Sequence, residues 1–113
     1  MQFDAQDAWW RENYGDARFE VILVEGELAG RLYVHRSRSE IRIVDIALLP
    51  EHRGNGVGTR LLEDLLAEGD ADGKSVTIHV ERMNPALRLY ERLGFSVGED
   101  KGVYLFLERL PAT

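Results

Sequence analysis

The chain has no cysteine in its 113 residues, which excludes a disulfide framework, a cysteine metal site and a thiol nucleophile. It also lacks a basic surplus: 14 Lys and Arg stand against 20 Asp and Glu, a net charge of −6. Phosphate backbones are bound by basic faces, so nucleic acid is not expected as the main partner, whereas cationic ligands are easily accommodated. No apolar run nears the ~20 residues that span a bilayer, and Met1 to Glu12 has no apolar centre of the signal-peptide kind. A soluble, unexported, cytoplasmic protein without a membrane partner is therefore expected. The length suits one domain around a single core.

What is present is an orderly alternation of elements. Phe3, Ala5, Ala8 and Trp9 are spaced for a helix over Met1 to Asn13, with Gly15 marking its end. Phe19 to Val24 and Leu28 to Val34 are β-rich runs around the tight turn Glu25-Gly26-Glu27, which predicts an antiparallel hairpin. Ile41 to Leu49 is almost uninterrupted apolar sequence and reads as a central strand covered on both faces. Val57, Leu61, Leu62, Leu65 and Leu66 form one stripe of a following helix, closed by Gly69 to Gly73. Val76 to Val80 is then a strand parallel to the previous one through a right-handed crossover. Asn84-Pro85 opens a short helix that Gly94 and Phe95 end, and two last strands cover Phe95 to Gly98 and Val103 to Leu107.

The segment between the central strand and the long helix carries the chemistry. Arg53, Gly54, Asn55, Gly56, Val57, Gly58 and Thr59 place alternate glycines at a helix N-terminus. Such a turn lets a ligand approach the backbone closely, and its successive N–H groups suit the oxygens of a pyrophosphate. A dinucleotide-binding unit fits less well, because Pro50-Glu51-His52-Arg53 separates strand from glycines, and no Gly-Lys-Ser/Thr follows to make a P-loop.

With this order of elements, and with both Arg53-Gly54-Asn55-Gly56-Val57-Gly58 and Asn84-Pro85-Ala86-Leu87-Arg88-Leu89-Tyr90-Glu91-Arg92-Leu93-Gly94-Phe95 in place, the chain resembles the GNAT N-acetyltransferase superfamily. The likeness runs from Phe19 to Leu107. It implies an α/β architecture with a mixed (α+β) central sheet flanked by helices, acetyl-CoA as co-substrate without a metal, and a primary amine as acceptor. Members usually begin with a further strand and helix that this chain is expected to lack. The Phe19 to Val24 strand would then have an open edge, an association hazard that points to a homodimer or a partner strand.

Acetyl transfer to an amine needs donors for the thioester oxygen, a proton for the departing thiolate and a neutral amine. The strand containing Ile46, Ala47, Leu48 and Leu49 is expected to supply backbone N–H groups, provided it bulges or splays from its neighbour. Asn84 is an N-cap with a possible cofactor contact, and Tyr90 is the candidate general acid, the plain alternative being a core aromatic. Asp45, a carboxylate in an apolar strand, is expected to be desolvated and to bind the amine; alternatively it is a buried structural carboxylate paired with an arginine such as Arg42 or Arg31. His79 and Glu81 share a side-chain parity on the next strand and are secondary candidates, His79 being read foremost as a core residue. A sensing or assembly module that binds acetyl-CoA with little turnover is the alternative function.

Overall fold

A computed structural model describes residues 9–13, 18–54 and 56–112. Strands β1 (Trp9–Asn13), β2 (Phe19–Val24), β3 (Glu27–Arg36) and β4 (Glu40–Leu48) follow one another as an antiparallel series. A 3-10 turn at Pro50–His52 leads into helix α1 (Val57–Asp72), and β5 (Ser75–Glu81) returns parallel to β4. Helix α2 (Leu87–Arg92) precedes the hairpin of β6 (Ser96–Lys101) and β7 (Tyr104–Arg109), and β7 inserts between β5 and β6. The result is a mixed seven-stranded sheet in the order β1-β2-β3-β4-β5-β7-β6.

Local chemistry accounts for most of these boundaries. Glu25 and Gly26 both adopt positive φ (52° and 83°), the turn whose twist matches the strands of a hairpin. The predicted stripe of α1 is buried and joins Ile41, Ile43, Val76, Ile78 and Leu107 in one core. Leu61 and Leu65 are fully enclosed there, each contributing roughly 1.5–3 kcal/mol. Helix α2 ends as its sequence suggested: Phe95 N–H bonds Tyr90 O at 3.1 Å and Gly94 N–H bonds Glu91 O at 3.0 Å, the paired bonds of a Schellman ending.

Two expectations are corrected. Trp9–Asn13 is a strand and not part of a helix; Met1 to Ala8 and Gly15 lie outside the described residues. Pairing from Trp9↔Val24 to Asn13↔Glu20 satisfies the backbone of β2, and this outweighs a helical spacing that ran no further than Trp9. A strand therefore stands beyond β2, joined to it by residues 14–18 alone, and the open edge that argued for a homodimer is occupied. Strand β4 is central but not covered on both faces: Ile41 and Ile43 are buried, while Val44 is 57% exposed.

Ion pairs fasten α1 to the sheet. The Arg36 guanidinium meets Glu68 through two bonds of 2.5 and 3.0 Å, and Arg109 pairs with Asp70, which also accepts the Ala112 N–H at 2.8 Å. No described helix is long and apolar enough to cross a membrane.

These contacts set an acid limit. Arg109, then Ala112 N–H, hold the Asp70 carboxyl below the usual carboxylate range; Arg82 and Gly102 N–H do the same for Asp100, and the Thr77 hydroxyl for Glu40. A lowered value in the fold means that the unfolded chain binds more protons. Stability is thus complete above the ordinary carboxylate pKa, ~4, and lost as pH falls through the lowered values. Thermal unfolding followed against pH should decline below about pH 4, and Asp70→Asn should flatten that decline. A melting temperature indifferent to acid would contradict the assignment.

Candidate active site

Strand β4 leaves β5 halfway along its length. The parallel ladder runs from Glu40↔Ser75 to Ile43↔Ile78 and stops, while β4 continues against β3 as far as Gly30↔Leu48 and β5 continues against β7 to Glu81↔Tyr104. At the point of parting β4 bulges: Val34 faces Ile43 and Tyr33 faces Asp45, so Val44 is the extra residue. The splay that the sequence reading required is present.

The extra residue decides what faces the gap. Leu49 N–H bonds Ala29 O at 2.7 Å, toward β3. Because strand backbone groups alternate sides, those of Leu48 and Ile46 turn the other way, into the fork. Arg53 Nε reaches Leu48 O from that side at 3.0 Å.

A cleft of about 510 Å³ occupies the fork. Ile46, Ala47 and Leu48 form one wall, Gly58 and Leu62 of α1 another, and Asn84 with Leu89 and Tyr90 of the α2 segment a third, with Arg53 at the rim. At the α1 end, Gly54 and Gly56 take φ of 79° and 81°, and Gly56 is the N-cap residue. The first intrahelical bond runs from Arg60 N–H to Gly56 O at 3.0 Å, which leaves the N–H groups of Val57, Gly58 and Thr59 ahead of it. No acidic side chain occupies the first turn. A helix terminus of this kind offers free N–H donors and a partial positive charge.

Tyr90 sits in the cleft wall at 6% exposure, its ring edge-on to Phe95 at 5.7 Å between centroids. Burial pushes the phenol pKa up, so the side chain keeps its proton at neutral pH. Asn84 is not the N-cap expected of it, a place that Ala86 takes; its Oδ1 accepts the Ala86 N–H at 2.8 Å and sets the turn that precedes α2.

Other sequence candidates stand elsewhere. The Asp45 side chain is 44% exposed and accepts from Arg31 Nε at 2.7 Å, so the burial that both readings expected of it is absent, while the pairing with Arg31 is present. Leu49 does not line the fork: its N–H is committed to Ala29, and it borders a second hollow of about 420 Å³ with Phe19, Val21, Leu28 and Pro50. Ala47 and Leu48 border both cavities. The Val57 side chain belongs to the core, and Asn55 lies outside the described residues. His79, read as a core histidine, is exposed and packs its ring on Phe106 at 5.1 Å. Leu62 and Leu89 were not singled out as cleft residues; the four-residue step from Gly58 to Leu62 along one helix face was the available signal.

A family model described as acetyltransferase (GNAT) family matches residues 2–95. The chain belongs to that family. Streptothricin acetyltransferase of Streptomyces lavendulae is 32% identical over 108 residues, covering 89% of this chain and 56% of its own. Among solved structures, the ribosomal-protein-S18-alanine N-acetyltransferase from Escherichia coli has a TM-score of 0.75 at 22% identity, over 88% of this chain and 73% of that one. The PaiA N-acetyltransferase from Thermoplasma acidophilum, in complex with coenzyme A, has a TM-score of 0.70 at 20% identity, over 81% and 59%. Both structures share the GNAT fold with this chain. The chain spans between 20% and 56% of the length of the curated relatives it matches.

Proposed function

We propose that this GNAT chain binds acetyl-CoA in the fork between β4 and β5 and passes the acetyl group directly to an amine held in the same complex. The observation that carries the reading is the parting of β4 from β5 after Ile43↔Ile78, with the backbone of Ile46 and Leu48 turned into the gap and the α1 N-terminus at its outer end. An anionic pyrophosphate suits the Gly56 to Thr59 N–H groups. A pantetheine arm laid from there along Leu48 and Ile46 finds alternating donors and acceptors like those of a missing strand. It brings the thioester toward the apex of the fork, on the side of Tyr90. One coenzyme A complex among the structural neighbours agrees with this ligand class.

The residues then divide the chemistry. Backbone N–H groups of β4 are placed for the thioester oxygen, and Tyr90 holds a proton for the thiolate. No cysteine is present to carry an acyl group, which favours direct transfer. The net charge of −6 and the half-exposed Asp45 favour a cationic acceptor.

Calorimetric titration with acetyl-CoA and CoA, followed by a thiol-release screen over polyamines, aminoglycosides, amino acids and N-terminal peptides, tests the proposal. Micromolar binding and release with one amine class is expected. Binding without release from any of them would favour the sensing module, and a folded protein that binds neither ligand would overturn the assignment.

A further inference from the structure

Strand β4 separates two cavities, for Ala47 and Leu48 line both the fork and the hollow of about 420 Å³. The hollow opens on the face of the sheet opposite the core. Phe19 and Val21, which line it, alternate with the buried Glu20 and Ile22, and Arg31 precedes the buried Leu32. The apolar residues of α1 and α2 join the core on the other face, so no described helix covers this one. Phe19, Val21, Leu28 and Leu49 give the hollow an apolar lining, yet its charged lining residues are both arginines, Arg31 and Arg53. Among the described residues no carboxylate lines it. Such a lining suits an apolar group beside an anion, and it matches polyamines and aminoglycosides poorly, since they carry several cations and little apolar surface.

Arg31 fixes where the anion would go. Its Nε donates to Asp45 Oδ2 at 2.7 Å, which leaves its two terminal nitrogens as donors, and the two side chains are 59% and 44% exposed. Asp45 follows the bulge at Val44, just past the last pairing of β4 with β5, while Ala47, the register partner of Arg31, borders the hollow. An accessible ion pair thus lies between the apex of the fork and the apolar hollow. It offers a carboxylate to an ammonium and a guanidinium to a carboxylate, side by side.

We propose that the acceptor is a free amino acid with an apolar side chain; this rests on acetyl-CoA binding in the fork. Asp45 holds the α-ammonium, the terminal nitrogens of Arg31 hold the α-carboxylate, and the side chain lies on Phe19, Val21 and Leu28. One carbon separates the two charged groups of an amino acid, which matches a carboxylate and a guanidinium in direct contact. The guanidinium beside Asp45 therefore narrows a cationic acceptor to one whose positive nitrogen has an anion next to it. In the transfer the ammonium gives one proton to solvent and its nitrogen bonds the carbonyl carbon. The C–S bond breaks, the thiolate takes the Tyr90 proton, and the second nitrogen proton returns to Tyr90 through solvent. The products are the N-acetyl amino acid, CoA thiol and one proton.

The test measures thiol release by the full chain with L-phenylalanine, with phenethylamine, which lacks the carboxylate, and with glycine, which lacks the side chain. L-Phenylalanine should exceed each in kcat/KM by roughly 10- to 100-fold, the worth of a hydrogen-bonded charge or of a buried ring. Arg31→Gln should raise KM for phenylalanine by a similar factor with calorimetric affinity for acetyl-CoA retained. Phenethylamine should then become the better substrate, because Asp45 has lost its guanidinium, whereas a merely structural Arg31 would lower both alike. Release with a polyamine or an aminoglycoside and none with phenylalanine, or a wild type that prefers glycine or phenethylamine, would overturn the class while the fork keeps its cofactor. Should no amine be acetylated, calorimetric titration of the CoA-saturated chain with L-phenylalanine supplies the readout. Binding that Arg31→Gln abolishes upholds the site, and no binding refutes it. A chain that binds neither acetyl-CoA nor CoA fails at the earlier reading and takes this one with it.

Discussion

Tyr90→Phe is expected to lower the rate of acetyl transfer on the order of 10²–10³-fold while leaving the affinity for acetyl-CoA where it was. The prediction separates the two things Tyr90 does. Its ring is a structural element, 6% exposed and edge-on to Phe95 at 5.7 Å, and phenylalanine reproduces that packing with a stability change below ~1 kcal/mol. Its hydroxyl is the part that the chemistry uses, because the cleft holds no other described acid beside Ile46 and Leu48. Burial raises the phenol pKa, and the sign of this shift fixes the pH behaviour. The protonated form is retained above ~10, so the alkaline limb of wild-type turnover should lie above the ordinary phenol value and should be missing from the variant. For stability the same sign means that burial of the neutral ring contributes fully below ~10 and loses its contribution as pH rises through the raised value. Steady-state rates from pH 7 upward, with parallel CoA titrations, give the answer. Unchanged turnover would return Tyr90 to the core as an ordinary aromatic.

How far such a site is legible depends on whether its geometry is local. The Gly54 to Gly58 turn and the Gly94 ending are set by residues within a few positions of one another, and each was readable; at Asn84 the turn was readable but the helix start was placed two residues early. The apolar stripe of α1 was readable for the same reason: its period is internal to the helix. The fork was not, since it arises from β5 choosing β7 over β4 beyond Ile78, a competition between strands far apart in the chain.

The bulge at Val44 explains the misplaced side chains. Parity counted straight from Ile41 and Ile43 would carry Asp45, Ala47 and Leu49 to the core side of the sheet. One extra residue reverses the count, so that Ile46 and Leu48 face α1 while Asp45 meets Arg31 on the outer face. Nothing in Ile43-Val44-Asp45-Ile46 announces the insertion. Residues 9–13 make the complementary point, for a helical spacing that ended at Trp9 weighed less than the hydrogen bonds that the edge of β2 offered.

Gly30→Ala is expected to cost about 3 kcal/mol and to take acetyl-CoA binding down with it. Gly30 lies where β3 is squeezed between two irregular ladders: it pairs with Ile22 beside the shifted register of β2, and with Leu48 across the ladder to β4. A methyl group there would stand 2.1 Å from Ala47 O and 3.0 Å from Leu48 Cα. Both are backbone atoms, so no rotamer change relieves the contact and β3 and β4 must separate locally. Gly26→Ala is the informative control. It carries φ of +83° with nothing within 4 Å, so only the strain of its backbone conformation is at stake, about 1 kcal/mol. Urea unfolding of the two variants should therefore rank Gly30→Ala well below Gly26→Ala, and equal costs would mean that β3 and β4 do not approach as described. The coupling to function follows from the same contact. Leu48 turns its backbone into the fork because β3 holds the opposite side of β4, through Gly30 itself and through Leu49 N–H to Ala29 O at 2.7 Å. A methyl group that pushes Ala47 and Leu48 away from β3 moves these groups within the cleft, and the variant should bind acetyl-CoA weakly even at temperatures where it remains folded. Gly26→Ala, in the β2–β3 turn with nothing within 4 Å of the added methyl group, should retain its affinity.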